Sequence, residues 1–290
     1  MLNDFISRKN LLRMSLISGI FLVLSTVQFI ITPVTRVVFC DIGQGDGIYI
    51  RTKENLDILV DAGPSDSMLE CLGRHMPFYD RTIDIAFLTH PHDDHYGGYN
   101  SIIGRYKIKT FIAVPVENEA KSYQRLVKKL TDEKIPIDYL FKNDRIELGS
   151  GAEIVFFWPT QQFIKQNPHF DDPNEYSQVF LFSEGETDIL FTGDVPPPVL
   201  TELLVSPGLH ERKIEILKLP HHGSRNGLTR EFLNLIDPEL SIISVGRKNS
   251  FHHPSPEIID MLNTTGHKFL STAKAGDIVM QITDDGWEQR

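Results

Sequence analysis

Six residues, His90, Pro91, His92, Asp93, Asp94 and His95, follow directly on the apolar run Ile83–Thr89 and precede Gly97 and Gly98. Imidazole and carboxylate are the usual ligands of zinc and similar ions. His90 and His92 can address one point only where the chain is extended or turning, and Pro91 resists continued strand pairing. The two histidines are therefore expected on a loop leaving a strand. Asp94 and His95 would begin the next helix and address a neighbouring point. Gly97 and Gly98 permit close approach of another backbone. A lone histidine is usually structural, whereas three histidines and two aspartates in six positions point to a metal. One loop cannot complete such a site, so the fold must bring other strand ends to the same place.

Those ends are legible. Asp61 closes ILVDAG, Asp194 ends ILFTGD, His221 and His222 follow EILKLP, and His253 lies just past IISV in SFHHPSP. Each is a polar group beyond an apolar strand, where α/β sheets present their active sites. Each also has a plain structural reading. Asp61 suits a turn, Asp194 a helix N-cap, and His252 a solvated loop.

Between these points strand and helix signals alternate. Strands are expected at Val37–Ile42, Gly47–Arg51, Leu56–Val60, Ile83–Thr89, Ile108–Val114, Ile154–Phe157, Gln178–Phe182 and Asp188–Phe191. Others follow at Ile214–Leu219, Leu240–Val245, Lys268–Ser271 and Ile278–Ile282. Amphipathic helices are expected at Ala120–Glu133, Thr229–Leu235 and Glu257–Leu262. This alternation predicts an α/β or α+β domain with layered sheets.

The N-terminus differs. Met14–Thr35 carries no charge over 22 residues, with Arg8, Lys9 and Arg13 before it and Arg36 after it. That length suits a membrane-crossing helix, and the flanking charge places the N-terminus in the cytoplasm and the remainder outside. A cleaved signal peptide is the rival, but the run ends QFIITPVT, without a small-residue cleavage pattern. The expected organisation is a cytoplasmic N-terminus and membrane anchor over 1–35 and a catalytic domain over 36–290. The two cysteines, Cys40 and Cys71, lie in apolar surroundings and are expected as buried free thiols, with one disulfide as the alternative in an exported domain. The formal net charge of −10 argues against holding nucleic acid by bulk positive charge. A bound divalent metal would supply local positive charge for a phosphate substrate.

HPHDDH fits the H-x-H-x-D-H motif of the metallo-β-lactamase superfamily. CDIGQGDGIYI, DILVDAGP, DILFTGD, LKLPHHGS and SVGRKNSFHHPSPEII resemble, in the same order, the hydrolase domain of ComEC-type competence proteins. The resemblance runs from about Val37 to the end of the chain. It implies a four-layer αββα sandwich and two divalent ions, zinc or manganese. His90 and His92 would hold one, Asp94 and His95 the second, with Asp194 bridging and His221, or its rival His222, completing the set. Asp94 would also orient the attacking hydroxide, and His253, or less readily His222, would act as acid. Asn174, Ser177, Ser224, Arg225, Gln44 and Asp46 would face the substrate. The segment NEYSQVFLF stands where many members have a further histidine, so one ion is expected to be weakly held; His169 is a minor candidate there. The implied function is an extracytoplasmic, membrane-tethered phosphodiesterase that degrades single-stranded DNA during uptake, beside a separate channel protein. A hydrolase of a small phosphodiester, ester or lactone is the alternative, as is a non-catalytic module of a DNA-uptake assembly.

Overall fold

A computed structural model describes residues 10–11, 13–20, 34–116, 118–168, 172–283 and 285–290. The chain divides into two units, Met1–Val34 and Thr35–Arg290. In the first, residues 13–20 are helical. Among the described residues no helix is long and apolar enough to cross a membrane. Most of the expected anchor lies outside the described residues, as does His169.

The second unit is built on two sheets. The strands of the first, in chain order, are β1 (Thr35–Phe39), β2 (Gly47–Arg51), β3 (Asp57–Ala62), β4 (Thr82–Phe87), β5 (Lys107–Ala113) and β6 (Ile137–Tyr139). Those of the second are β7 (Arg145–Gly149), β8 (Ala152–Trp158), β9 (Val179–Glu184), β10 (Thr187–Phe191), β11 (Ile216–Lys218), β12 (Leu240–Ile243) and β13 (Phe269–Ser271). The chain then returns to the first sheet with β14 (Ile278–Thr283) and β15 (Gly286–Gln289). The orders are β15-β14-β1-β2-β3-β4-β5-β6 and β13-β12-β11-β10-β9-β8-β7. Each sheet begins as antiparallel hairpins and continues as a parallel run: β3 to β6 in one, β10 to β13 in the other.

Three apolar layers follow from strand alternation, which sends successive side chains to opposite faces. Between the sheets, Val37, Phe39, Ile58 and Phe87 meet Phe156, Phe180, Ile189 and Phe191. The rings of Phe87 and Phe180 lie 5.0 Å apart, and those of Phe180 and Phe191 5.1 Å apart. Each buried Phe stabilises the fold by about 1.5–3 kcal/mol. On the outer face of the first sheet, Val38, Tyr49 and Leu59 pack under helices Ser67–His75 and Lys121–Asp132. Outside the second sheet, Leu181, Leu190 and Leu217 pack under helices Pro197–Leu204, Arg230–Ile236 and Pro256–Thr265. The architecture is therefore the four-layer αββα sandwich.

The cysteines depart from expectation. Cys40, just past β1, and Cys71, on helix Ser67–His75, form a disulfide with their Cα atoms 6.0 Å apart. The helix lies on the outer face of the sheet that β1 crosses, and this packing brings together two thiols 31 positions apart. Asp277 lies beside them. It accepts the backbone N–H of Asp41 (2.9 Å), pairs with Arg74 (2.8 Å) and contacts His75 Nε2 (2.7 Å).

Candidate metal centre

The polar ends of both parallel runs lie on one edge. Phe87 and Phe191, pinned in the inter-sheet core, end the strands from which the loops to His90 and Asp194 depart. Asp61 belongs to the C-terminal end of β3, and Lys218 ends β11 just before the turn Pro220–Gly223. Four non-glycine residues here, Asp61, His221, His222 and His252, have φ between 52° and 57°. Such left-handed conformations are costly for ordinary side chains and collect at functional sites. Two glycines let the loops close. A Cβ on Gly98 would fall 2.1 Å from the Ala62 carbonyl oxygen, and one on Gly45 2.1 Å from that of Asp94.

Each central histidine has one nitrogen committed and the other turned inward. His95 Nδ1 donates to Asp61 Oδ2 at 2.8 Å, while its Nε2 lies 3.3 Å from Asp194 Oδ2. His222 Nδ1 donates to the Ser244 carbonyl at 3.0 Å; its Nε2 lies 3.1 Å from Asp194 Oδ2 and 3.4 Å from Asp94 Oδ2. Both Nε2 atoms and Asp194 Oδ1 are buried without a hydrogen-bond partner. His90 Nε2 and His92 Nδ1 approach to 3.0 Å, so both aim at one place. The Thr89 hydroxyl donates to Asp61 Oδ2 at 2.7 Å and lies 3.2 Å from His90 Nδ1, linking His90 and His95 through Asp61. The ligand atoms of His90, His95 and Asp194 cluster within 4.8 Å of one another, as do those of Asp94, His95 and His222. Inward-facing imidazole nitrogens, held by hydrogen bonds on their far side, are the arrangement a divalent ion requires.

The electrostatics match this reading. Burial opposes charge on Asp194, but His222, His95 and Lys218 outweigh it and hold the carboxylate well below its ordinary range. Asp94 is lowered likewise, burial being overcome by His222 and His95. His95 and His222 are raised well above the usual imidazole range; Asp194 with Asp61, and Asp194 with Asp46, overcome the burial of each. His90 is pushed well down by burial and by His95.

Several expected residues take other places. Asp46 is 1% exposed and pairs with the buried Lys218, and its Oδ1 lies 3.4 Å from His222 Nδ1. Lys218 also donates to the Gly193 carbonyl at 2.9 Å and lies 3.6 Å from Asp194 Oδ1. Ser177 is fully buried and its Oγ accepts the Asp194 N–H at 3.1 Å. Asn174 is buried with Oδ1 unpartnered, and the half-buried Gln44 likewise has a buried Oε1 without a partner. Ser224 is buried and its Oγ accepts the N–H of Asn226; Arg225 is exposed. Of the two adjacent histidines, His222 is the ring at the centre. His221 Nε2 lies 4.0 Å from Asp194 Oδ2 on the more open side. His253 stands beyond it, ring centroids 6.0 Å apart. Asp61 and Lys218 are the site residues whose roles the sequence did not reveal.

Comparison with known proteins agrees with this geometry. The family model of the metallo-beta-lactamase superfamily matches residues 41–247. The chain is similar to ComE operon protein 3 of Bacillus subtilis (strain 168), with 25% identity over 259 residues, 82% of this chain and 32% of that protein. It is also similar to recombination protein 2 of Haemophilus influenzae, with 26% identity over 293 residues, 97% of this chain and 33% of that protein. The chain thus spans about a third of the length of these relatives, and the resemblance to ComEC-type proteins is borne out. Among solved structures, the metallo-beta-lactamase fold protein YhfI from Bacillus subtilis aligns with a TM-score of 0.54 at 14% identity, covering 86% of this chain and 99% of that one. That likeness concerns the fold alone.

Proposed function

This chain belongs to the metallo-beta-lactamase superfamily, and from that premise we propose that it is a metal-dependent phosphodiesterase that degrades single-stranded DNA during uptake. The observation that carries the reading is the pair of buried, unpartnered Nε2 atoms of His95 and His222 facing Asp194 and Asp94. His90 and His92 with Asp194 would hold one divalent ion, and Asp94, His95, Asp194 and His222 a second; zinc and manganese both accept such donors. Bound there, the ions would supply Lewis acidity and a water acidified toward neutral pH.

The protein's own groups do the rest. Asp61 and the Ser244 carbonyl fix the tautomers of His95 and His222. Lys218 compensates the buried charge of Asp46 and faces Asp194 Oδ1, leaving Oδ2 toward the histidines. His253, half-buried beside His221, would lie near a leaving oxygen or a substrate phosphate. Likeness to ComE operon protein 3 supports the assignment to DNA uptake. The Cys40–Cys71 disulfide supports an extracytoplasmic location, since such bonds persist in oxidising compartments. The uncharged Met14–Thr35 run supports tethering to the membrane, beside a separate channel protein.

The test is cleavage of end-labelled single-stranded DNA by the full chain with manganese, zinc or chelator, using Asp94→Asn as control. Metal-dependent cleavage lost in Asp94→Asn is the expected result. A folded, metal-loaded protein that leaves DNA intact yet hydrolyses a small ester would move the assignment to an esterase.

A further inference from the structure

A line of rings leads out of the metal centre. The centroids of His222 and His221 are 6.2 Å apart, and those of His221 and His253 6.0 Å apart. Phe251 then stacks on His253 at 5.8 Å with an interplanar angle of 17°. Phe251 ends the line and is 63% exposed. Single exposed apolar side chains are common and need no explanation by themselves. This one differs in being held out by its loop. Asn249 Nδ2 donates to the carbonyls of Gly246 and His253, both at 2.8 Å, and its Oδ1 accepts the His253 N–H at 2.8 Å. Ser255 then ties the loop to the HHGS turn: its N–H donates to the Gly223 carbonyl and its Oγ accepts the Arg225 N–H, each at 2.9 Å. Arg225 and Lys248 are exposed in these two joined loops. Arg225 Nη1 lies 3.8 Å from Glu257 Oε1, and both side chains are largely exposed.

We propose that Phe251 is a stacking platform for a nucleobase of the substrate strand, with Arg225 and Lys248 on flanking phosphates. The proposal rests on the phosphodiesterase reading above and extends it: the site would read a nucleic-acid strand and not a bare phosphodiester. A chain with net charge −10 has no bulk attraction for DNA. Its affinity must come from local contacts, and base–aromatic stacking is a sequence-tolerant one.

The test compares two single-stranded oligomers of equal length, one of thymidylate and one of abasic residues, with the manganese-loaded full chain. The wild type should prefer the thymidylate oligomer by about tenfold in kcat/KM. In Phe251→Ala that preference should fall toward one, and in Phe251→Trp it should persist. An unaltered preference in Phe251→Ala overturns the platform and leaves the phosphodiesterase reading standing. Cleavage of neither oligomer by folded, metal-loaded wild type overturns that reading and the platform with it. Binding gives a second readout. In Asp94→Asn carrying Phe251→Trp, the added indole emission should be quenched by the thymidylate oligomer and not by the abasic one. Equal response to both overturns the platform.

Discussion

His95 donates its Nδ1 proton to Asp61 at 2.8 Å and thereby presents Nε2 to Asp194. Asp61 is fully buried, and its other contacts, the Thr89 amide and hydroxyl at 2.8 and 2.7 Å, hold it in place. Removing the carboxylate frees the ring to turn. Asp61→Ala should weaken metal binding by about 10–100-fold, measured by competition with a chromogenic chelator. Asp61→Asn, which retains an acceptor, should fall between the two. Unchanged affinity in Asp61→Ala would remove Asp61 from the orientation of His95.

Lys218 and Asp46 form a buried ion pair between the ends of two different sheets. Leaving one partner uncompensated in such a place is strongly unfavourable. Lys218→Met should destabilise the metal-free protein by about 3–5 kcal/mol, read from denaturant midpoints. Lys218→Met with Asp46→Asn should recover a substantial part of that loss. A double variant no more stable than the single one would show that Asp46 is not what Lys218 compensates.

The Cys40–Cys71 disulfide closes a loop of 31 positions. By chain entropy, opening a loop of this length costs about 3–4 kcal/mol. Reduction followed by alkylation, or Cys40→Ala with Cys71→Ala, should lower the denaturation midpoint accordingly. A midpoint unaffected by reductant would mean that the bond adds nothing to the constraint already imposed by helix packing.

Asp277 gives a pH signature. Burial pushes its carboxyl up, but His75, the Asp41 amide and Arg74 outweigh this and hold it at about 2. A depressed folded pKa means that the native state binds fewer protons than the unfolded chain between about pH 4 and pH 2. The stabilisation from Asp277 is present above pH 4 and is lost as the pH falls through 2. The stability difference between wild type and Asp277→Asn should therefore shrink across that window. A constant difference from pH 6 to pH 2 would remove Asp277 as its source.

Much of the fold is legible because the parallel strands are short apolar runs ending in glycine or a polar group. The edge strands β6 and β7 are not, since Ile137–Tyr139 and Arg145–Gly149 are short, charged and partly exposed. In the site, HPHDDH, TGD and HHGS declare themselves by composition. The role of Asp61 does not. Within ILVDAGP nothing separates a turn former from a partner for His95; that depends on β3 and β4 being parallel neighbours. The choice between His221 and His222 is likewise set by two successive left-handed residues, φ 52° and 54°, and not by any property of either side chain. The disulfide stands in the sequence only as an alternative, because spacing does not decide a pairing that depends on a helix packed against a sheet.

The return of β14 to the first sheet governs the order in which this domain can mature. β1 is flanked by β2 on one side and by β14 on the other, with Thr35 opposite Ile282 and Phe39 opposite Ile278. Its second neighbour is made only after the whole second sheet has been synthesised. A chain emerging from the ribosome, N-terminus first, would have to leave that flank of β1 bare until Ile278–Thr283 arrives. Non-local pairing of this kind slows folding, and the bare flank is an edge open to mispairing. Closure of the first sheet around β1 therefore waits on the synthesis of Ile278–Thr283.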